Sequence, residues 1–218
     1  ANAKQRLAHL LTAAERAGLV RAMVEDVLAA LDACSGLDET VVVTRDADVE
    51  TLARAWHARI LPEPDVSGLI PAATAARRVL SGEGVGALLF VPGDIPLIDV
   101  DELNVVLNGL GMSDGPEFVI VPARDLGGSN CVVCSPPDCM TFGFGEDSFR
   151  RHLGIARELG IEPMVTRLPG IGLDVDTPDD LLALNKELED RNADTRTRRF
   201  LRDSGIAARL DAGLQRIG

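Results

Sequence analysis

The run Ala87-Leu88-Leu89-Phe90-Val91 is apolar at every position and passes straight into Pro92-Gly93-Asp94-Ile95-Pro96-Leu97. An unbroken apolar run of this length suits a strand covered on both faces, as in a sheet with helices above and below it. Open sheets of that kind place ligands at the carboxyl ends of their strands, and Asp94 stands at such an end. Further on, Leu173-Asp174-Val175-Asp176-Thr177-Pro178 again ends an apolar run in acidic residues. Asp174 and Asp176 are two apart on an extended segment, so their side chains share a face. Carboxylates gathered at one sheet edge repel each other unless a cation neutralises them. A set of oxygen ligands alone suits Mg²⁺, which usually holds substrate phosphates as well.

The rest of the chain alternates in the same way. Thr12 and Glu15 form a capping box, and Leu19, Val20, Met23, Val27 and Leu31 follow at helical spacing, with Gly36 past the end. Thr40–Thr44 is a β-branched strand, Ala47–His57 a helix, Arg59–Leu61 a short strand and Pro71–Leu80 a helix. Asp99 and Glu102 repeat the capping-box pattern ahead of a helix reaching Leu110. Phe118–Val121 and Asn130–Cys134 are strands with no helix between them. A helix opens at Asp147 or Ser148 and ends near Gly160. Met164–Leu168 and Gly172–Val175 are short strands, and Thr177 caps a helix with Pro178 in its first position. The alternation predicts an α/β fold: a mostly parallel sheet flanked by helices in three layers. Phe118–Phe144 would supply an antiparallel edge or a ribbon inserted over the site. Residues 1–188 make the main domain. Residues 189–218 are charge-rich and read as a helical extension that could cover the sheet's edge or pack on a second subunit, making a homodimer.

At 218 residues and 46% hydrophobic, the chain has enough apolar material for a sizeable core and is not disordered. A net charge of −12 argues against nucleic-acid or anionic-membrane partners. No apolar run is long enough for a membrane span, and no secretory signal is seen. With four cysteines and no such signal, the expected compartment is the reducing cytoplasm. Cys131-x-x-Cys134 with Cys139 invites a zinc reading, but residues three apart on a strand point to opposite faces.

The order and spacing of four segments carry a resemblance: Pro92-Gly93-Asp94-Ile95-Pro96-Leu97, Gly128-Ser129-Asn130, Phe144-Gly145-Glu146-Asp147-Ser148-Phe149, and Asp174-Val175-Asp176-Thr177-Pro178. Together they resemble the 2-phospho-L-lactate guanylyltransferase family, enzymes of deazaflavin coenzyme biosynthesis. That family has the Rossmann-like, GT-A-like nucleotidyltransferase fold of molybdopterin guanylyltransferase. The resemblance runs from Ala3-Lys4-Gln5-Arg6-Leu7 to Leu184. It implies that GTP donates a guanylyl group to a phosphorylated three-carbon acid (2-phospholactate, phosphoenolpyruvate or 3-phosphoglycerate) with release of pyrophosphate. Asp94, Asp174 and Asp176 match the positions expected to hold Mg²⁺. Ser129 matches a hydroxyl near the acceptor, and Gly145 with Ser148 its binding loop. Lys4 and Arg6 match a basic loop facing the triphosphate, where they would stabilise the leaving pyrophosphate. Pro92 and Gly93, with Gly68 in the segment near the base, complete the nucleotide site. The family begins with a strand upstream of the Lys4 loop, so a preceding central strand is expected. The family often carries Asn where Ile70 stands, which leaves the choice of base open.

The chemistry fits these residue types. The acceptor phosphate is ionised at neutral pH and can attack the α-phosphorus of GTP without a protein base. The difficulty lies in bringing two anions together, which metal ions and cationic side chains relieve. Other readings remain at this point. Asp94, Asp174 and Asp176 could each cap a turn or helix. Ser148 could be an N-cap, a role compatible with anion binding. Arg150 and Arg151 read as solvated, and His152 could orient the acceptor loop or be a satisfied helix histidine. The acceptor could instead be a molybdopterin or a sugar phosphate, or the chain a nucleotide-binding module without catalysis.

Overall fold

The structure, a computed structural model, describes residues 4–192 and 194–214. Helix α1 (Ala13–Ala33) starts where its capping box predicts. The Thr12 hydroxyl accepts from the Glu15 N–H at 3.2 Å, and the Glu15 carboxylate accepts from the Thr12 N–H at 2.8 Å. The chain continues through β1 (Val41–Thr44), α2 (Ala47–Ala55), β2 (Arg59–Pro62), α3 (Leu69–Gly82) and β3 (Leu88–Phe90). Then follow α4 (Val100–Leu107), β4 (Glu117–Pro122), β5 (Ser129–Ser135), α5 (Ser148–Glu158) and β6 (Met164–Val165). The last elements are α6 (Pro178–Asp190), α7 (Arg196–Asp203) and α8 (Ile206–Leu214).

Among the described residues, β1 and β2 pair in parallel, and a second sheet has the order β3-β5-β4-β6. In that sheet β3, β4 and β6 share a direction and β5 runs against them. The antiparallel strand therefore lies inside the sheet, between β3 and β4, and not at its edge as the sequence suggested. The short connection from β4 to β5 is closed by an Ala123 N–H to Gly128 C=O bond of 2.9 Å. Such a connection can make an antiparallel neighbour but not a parallel crossover. The expected ribbon is also absent among the described residues: Phe142 and Phe144 lie in the core, and the Phe144 ring packs 4.6 Å from that of Phe90. Residues 173–175 form no strand: the Leu173 N–H turns back to the Gly170 carbonyl at 3.4 Å, and the Val175 N–H donates to the Asp94 carbonyl at 3.1 Å.

Side-chain alternation assigns the two faces of the larger sheet. Val119, Val121, Cys131 and Val133 pack with Val27 of α1 and Leu103 and Val106 of α4. Phe118, Ile120, Val132 and Cys134 pack with Ala73 of α3 and Ala156 of α5. Helices thus cover both faces, as the apolar character of these strands requires. Cys131 and Cys134 fall on opposite faces, and burial pushes the Cys131 thiol well above its usual range. Both are apolar strand residues, not ligands.

Helices α7 and α8 bring Leu201, Ile206 and Leu210 into one cluster with Leu7, Leu11, Leu19, Met23 and Leu184. The close approach of α7 to α1 depends on Gly18, where a Cβ would sit 2.4 Å from the Phe200 ring. No helix among the described residues is long and apolar enough to cross a membrane.

Candidate active site

Asp94 leaves the carboxyl end of β3 on the turn that the Pro92-Gly93 pair makes. Gly93 is needed there because a Cβ would meet Val24 of α1 at 2.9 Å. Asp176 arrives from the segment before α6. Both carboxylates converge on one cation: Lys4 Nζ donates to Asp94 Oδ2 at 2.5 Å and to Asp176 Oδ1 at 2.6 Å. Burial opposes charge on this ammonium, but Asp94 foremost, and Asp176 with it, hold its pKa above the usual lysine value. Lys4 itself is in the left-handed region at φ 51°, ahead of the 3-10 turn Gln5–Leu7 that buries Leu7 completely. Asp94 Oδ1 is buried and has no hydrogen-bond partner among the described residues.

Asp174 stands beside this pair but not in it. Its Oδ1 accepts from Asn130 Nδ2 at 3.0 Å, and the same amide donates to the Ile171 carbonyl at 3.0 Å. Burial pushes the Asp174 pKa up, the Asn130 bond opposes this, and the negative charges of Asp94 and Asp176 add to the rise. Among the described residues no three His, Cys, Asp or Glu side chains are arranged to hold one metal ion. The arrangement is therefore two carboxylates on a shared cation with a third held alongside by an amide.

The two acidic loops are braced against each other by a residue the sequence reading placed elsewhere. Asp99 caps α4 by accepting from the Glu102 N–H at 2.8 Å, but Glu102 does not return the bond. Its carboxylate instead accepts from the Gly170 and Ile171 N–H groups, both at 2.7 Å. Burial raises the Glu102 pKa, and those two N–H donors oppose the rise. Gly170 is obligatory in this brace, since a Cβ would lie 2.3 Å from the Leu97 carbonyl oxygen. On the other side, Asp180 Oδ2 accepts from the Asp176 N–H at 3.2 Å and completes the Thr177 capping box of α6.

A second group adjoins the first through the backbone. Ser129 precedes Asn130 at the start of β5, and its Oγ lies 2.9 Å from His152 Nδ1 and 3.3 Å from Ser148 Oγ. Ser148 is the first residue of α5, and His152 lies on the same helix face one turn on. Asp147 precedes Ser148 at φ 52° and makes no side-chain cap; the Ser148 N–H donates to the Gly145 carbonyl at 3.1 Å and the Phe149 N–H to the Gly127 carbonyl at 3.4 Å, so the Ser148 hydroxyl and the positive end of the helix are what α5 offers an anion. Gly145, at φ 111°, makes the turn into this helix. Burial, then the Arg151 charge, lower the His152 pKa to about 4, so the ring is neutral at neutral pH.

The remaining expected residues lie further out. Arg6 is exposed on the 3-10 turn. Gly68 opens α3 at φ 132°, with Ile70 exposed in the first turn. Asn130 had no assigned role in the sequence reading, Glu102 was read only as a capping partner, and His152 was left between orienting the acceptor loop and serving as a satisfied helix histidine. Asn130 lay within a quoted motif, Glu102 carried a capping pattern that concealed its use, and the partners of His152 are distant in sequence.

The family model for guanylyl transferases of the CofC-like type matches residues 1–216. The phosphoenolpyruvate guanylyltransferase of Conexibacter woesei is 37% identical over 87% of this chain and 84% of its own length. The 2-phospho-L-lactate guanylyltransferase of Methanobrevibacter smithii is 29% identical over 98% of this chain and 90% of its own. Among solved structures, a Desulfovibrio desulfuricans G20 protein described as a nucleotide-diphospho-sugar transferase superposes with a TM-score of 0.73. It is 21% identical over 94% of this chain and 90% of that one, and so shows the fold. A part-buried lysine bridging two loop aspartates, beside a serine pair at a helix start, thus sits in a chain matched to one family over residues 1–216: it belongs to the CofC-like guanylyl transferases.

Proposed function

We propose that this chain transfers the guanylyl group of GTP to a phosphorylated three-carbon acid, such as phosphoenolpyruvate or 2-phospholactate, and releases pyrophosphate. One observation carries the reading. Asp94 and Asp176 grip a cation, Asp174 stands beside them on the amide of Asn130, and the neighbour of Asn130, Ser129, meets Ser148 at a helix N-terminus. In the reaction an acceptor phosphate oxygen bonds to the α-phosphorus of GTP. The bond from that phosphorus to the bridging oxygen of the β-phosphate breaks, and pyrophosphate carries away the electron pair. No proton has to be removed from the nucleophile. Ser129, Ser148 and the first turn of α5 would bind the acceptor anion and orient it. Lys4 would place positive charge where the pyrophosphate leaves.

Asp94 and Asp176 fit Mg²⁺. Their oxygens are hard donors, they already converge on one positive charge, and Asp94 keeps a buried oxygen without a partner among the described residues. Asp94 and Asp176 would hold the ion, with Asp174 alongside. When bound it would neutralise charge between donor and acceptor.

The test is pyrophosphate release from GTP with Mg²⁺ and each of phosphoenolpyruvate, 2-phospholactate and 3-phosphoglycerate. Turnover with at least one acid is expected. Tight GTP binding without turnover for any acceptor would instead favour a nucleotide-binding module.

A further inference from the structure

His152 is fully buried, and both of its ring nitrogens are engaged. The Gly143 backbone N–H donates to Nε2 at 2.8 Å. A backbone amide can only donate, so Nε2 carries no proton. In the neutral ring the proton is therefore on Nδ1, and Ser129 Oγ, 2.9 Å away, accepts it. The opposite tautomer would consume the Ser129 hydroxyl proton on Nδ1. The tautomer that the Gly143 bond requires leaves it for another acceptor. Ser148 Oγ contributes a second hydroxyl proton 3.3 Å away. Only one of the two is needed for the contact between the serines, so at least one remains to donate outward.

We propose that His152 is a positioning residue: by a tautomer fixed through Gly143, it makes the Ser129–Ser148 pair a donor site selective for an unprotonated anionic oxygen of the acceptor. A phosphate or carboxylate oxygen satisfies such a site. An amide N–H presented to it would meet donor against donor, and a neutral hydroxyl oxygen would accept more weakly than a charged one. The inference rests on the reading of these serines as acceptor-binding, and it narrows that reading to the charged end of the acid. His152 touches no substrate and acts through Ser129.

Two readouts test it in the full chain. Nitrogen NMR of the His152 ring at neutral pH should show Nε2 unprotonated and Nδ1 protonated; the reverse assignment overturns the proposal. In the pyrophosphate assay, His152→Leu should raise the acceptor KM about ten-fold and leave the GTP KM unchanged, since the Ser129 hydroxyl, no longer held by the ring, bonds the charged ligand less well. His152→Asn, which keeps a donor toward Ser129, should recover most of that loss. An equal rise in both KM values, or no difference between Asn and Leu, overturns the positioning role. A wild-type chain without turnover would contradict the proposed reaction, and the ring assignment would still decide the tautomer.

Discussion

Single side chains set what the site can do, and Lys4 is the most informative of them. Its ammonium occupies the place between Asp94 and Asp176 that a divalent ion would take. On the proposed metal role, lysine and metal would compete for the same oxygens. Lys4→Met should destabilise the metal-free protein by roughly 2 kcal/mol, less than for a fully buried pair because Asp176 is half exposed. It should also increase the rise in Tm on adding Mg²⁺, because the ion then has no rival. Thermal melts with and without Mg²⁺ check this, and an equal or smaller Mg²⁺ response in the variant would remove the competition. His152 makes a pH prediction. Its folded pKa, about 4, lies below the ordinary 6.5, so the unfolded chain binds the proton more readily. Its contribution to stability is complete above the unfolded value and is lost as pH falls toward the folded one. The wild type should lose roughly 3 kcal/mol more than His152→Asn across that window, by denaturant titration at several pH values.

Elements show where the sequence was legible. Strands β3, β4 and β5, and helices α1 and α6, could be read because apolar runs and capping residues are local signals. The loop residues Asp94, Asp174 and Asp176 were visible as acidic ends of apolar runs. Their division into a lysine-bridged pair and an amide-held neighbour was not, because it depends on Asn130 and Lys4 arriving from remote strands and turns. The reversal of β5 was half legible: no helix separated it from β4, but its place between β3 and β4 is decided by tertiary pairing. Glu102 shows the same limit, since its spacing from Asp99 is that of a capping box and its carboxylate serves Gly170 and Ile171. Glu102→Ala leaves those two buried N–H groups without partners. It should cost roughly 3 kcal/mol by chemical denaturation and lower turnover by loosening the loop that carries Asp174 and Asp176. A variant as stable and active as the wild type would show that the brace is dispensable.

Across the whole molecule, the C-terminal helices are tied to the start of the chain. Leu201, Ile206 and Leu210 share a cluster with Leu7 and Leu11, which anchor the turn that presents Lys4. Asp26 of α1 caps α7 by accepting from the Arg196 and Thr197 N–H groups, both at 2.8 Å. Asp26→Ala should therefore cost about 2 kcal/mol, and its effect should reach the site: α7 loosens, the cluster around Leu7 opens, and Lys4 loses its fixed position. Hydrogen exchange should rise in residues 5–11 together with α7; a rise confined to α7 would separate the extension from the site. The central claim is that Asp94 and Asp176 form the charged grip of a guanylyltransferase. It is tested most directly by pyrophosphate release from GTP and the preferred acid in wild type, Asp94→Ala and Asp176→Ala, with folding checked by circular dichroism. The account predicts a loss of about 100-fold or more in both folded variants, and turnover within a few-fold of wild type in either would contradict it.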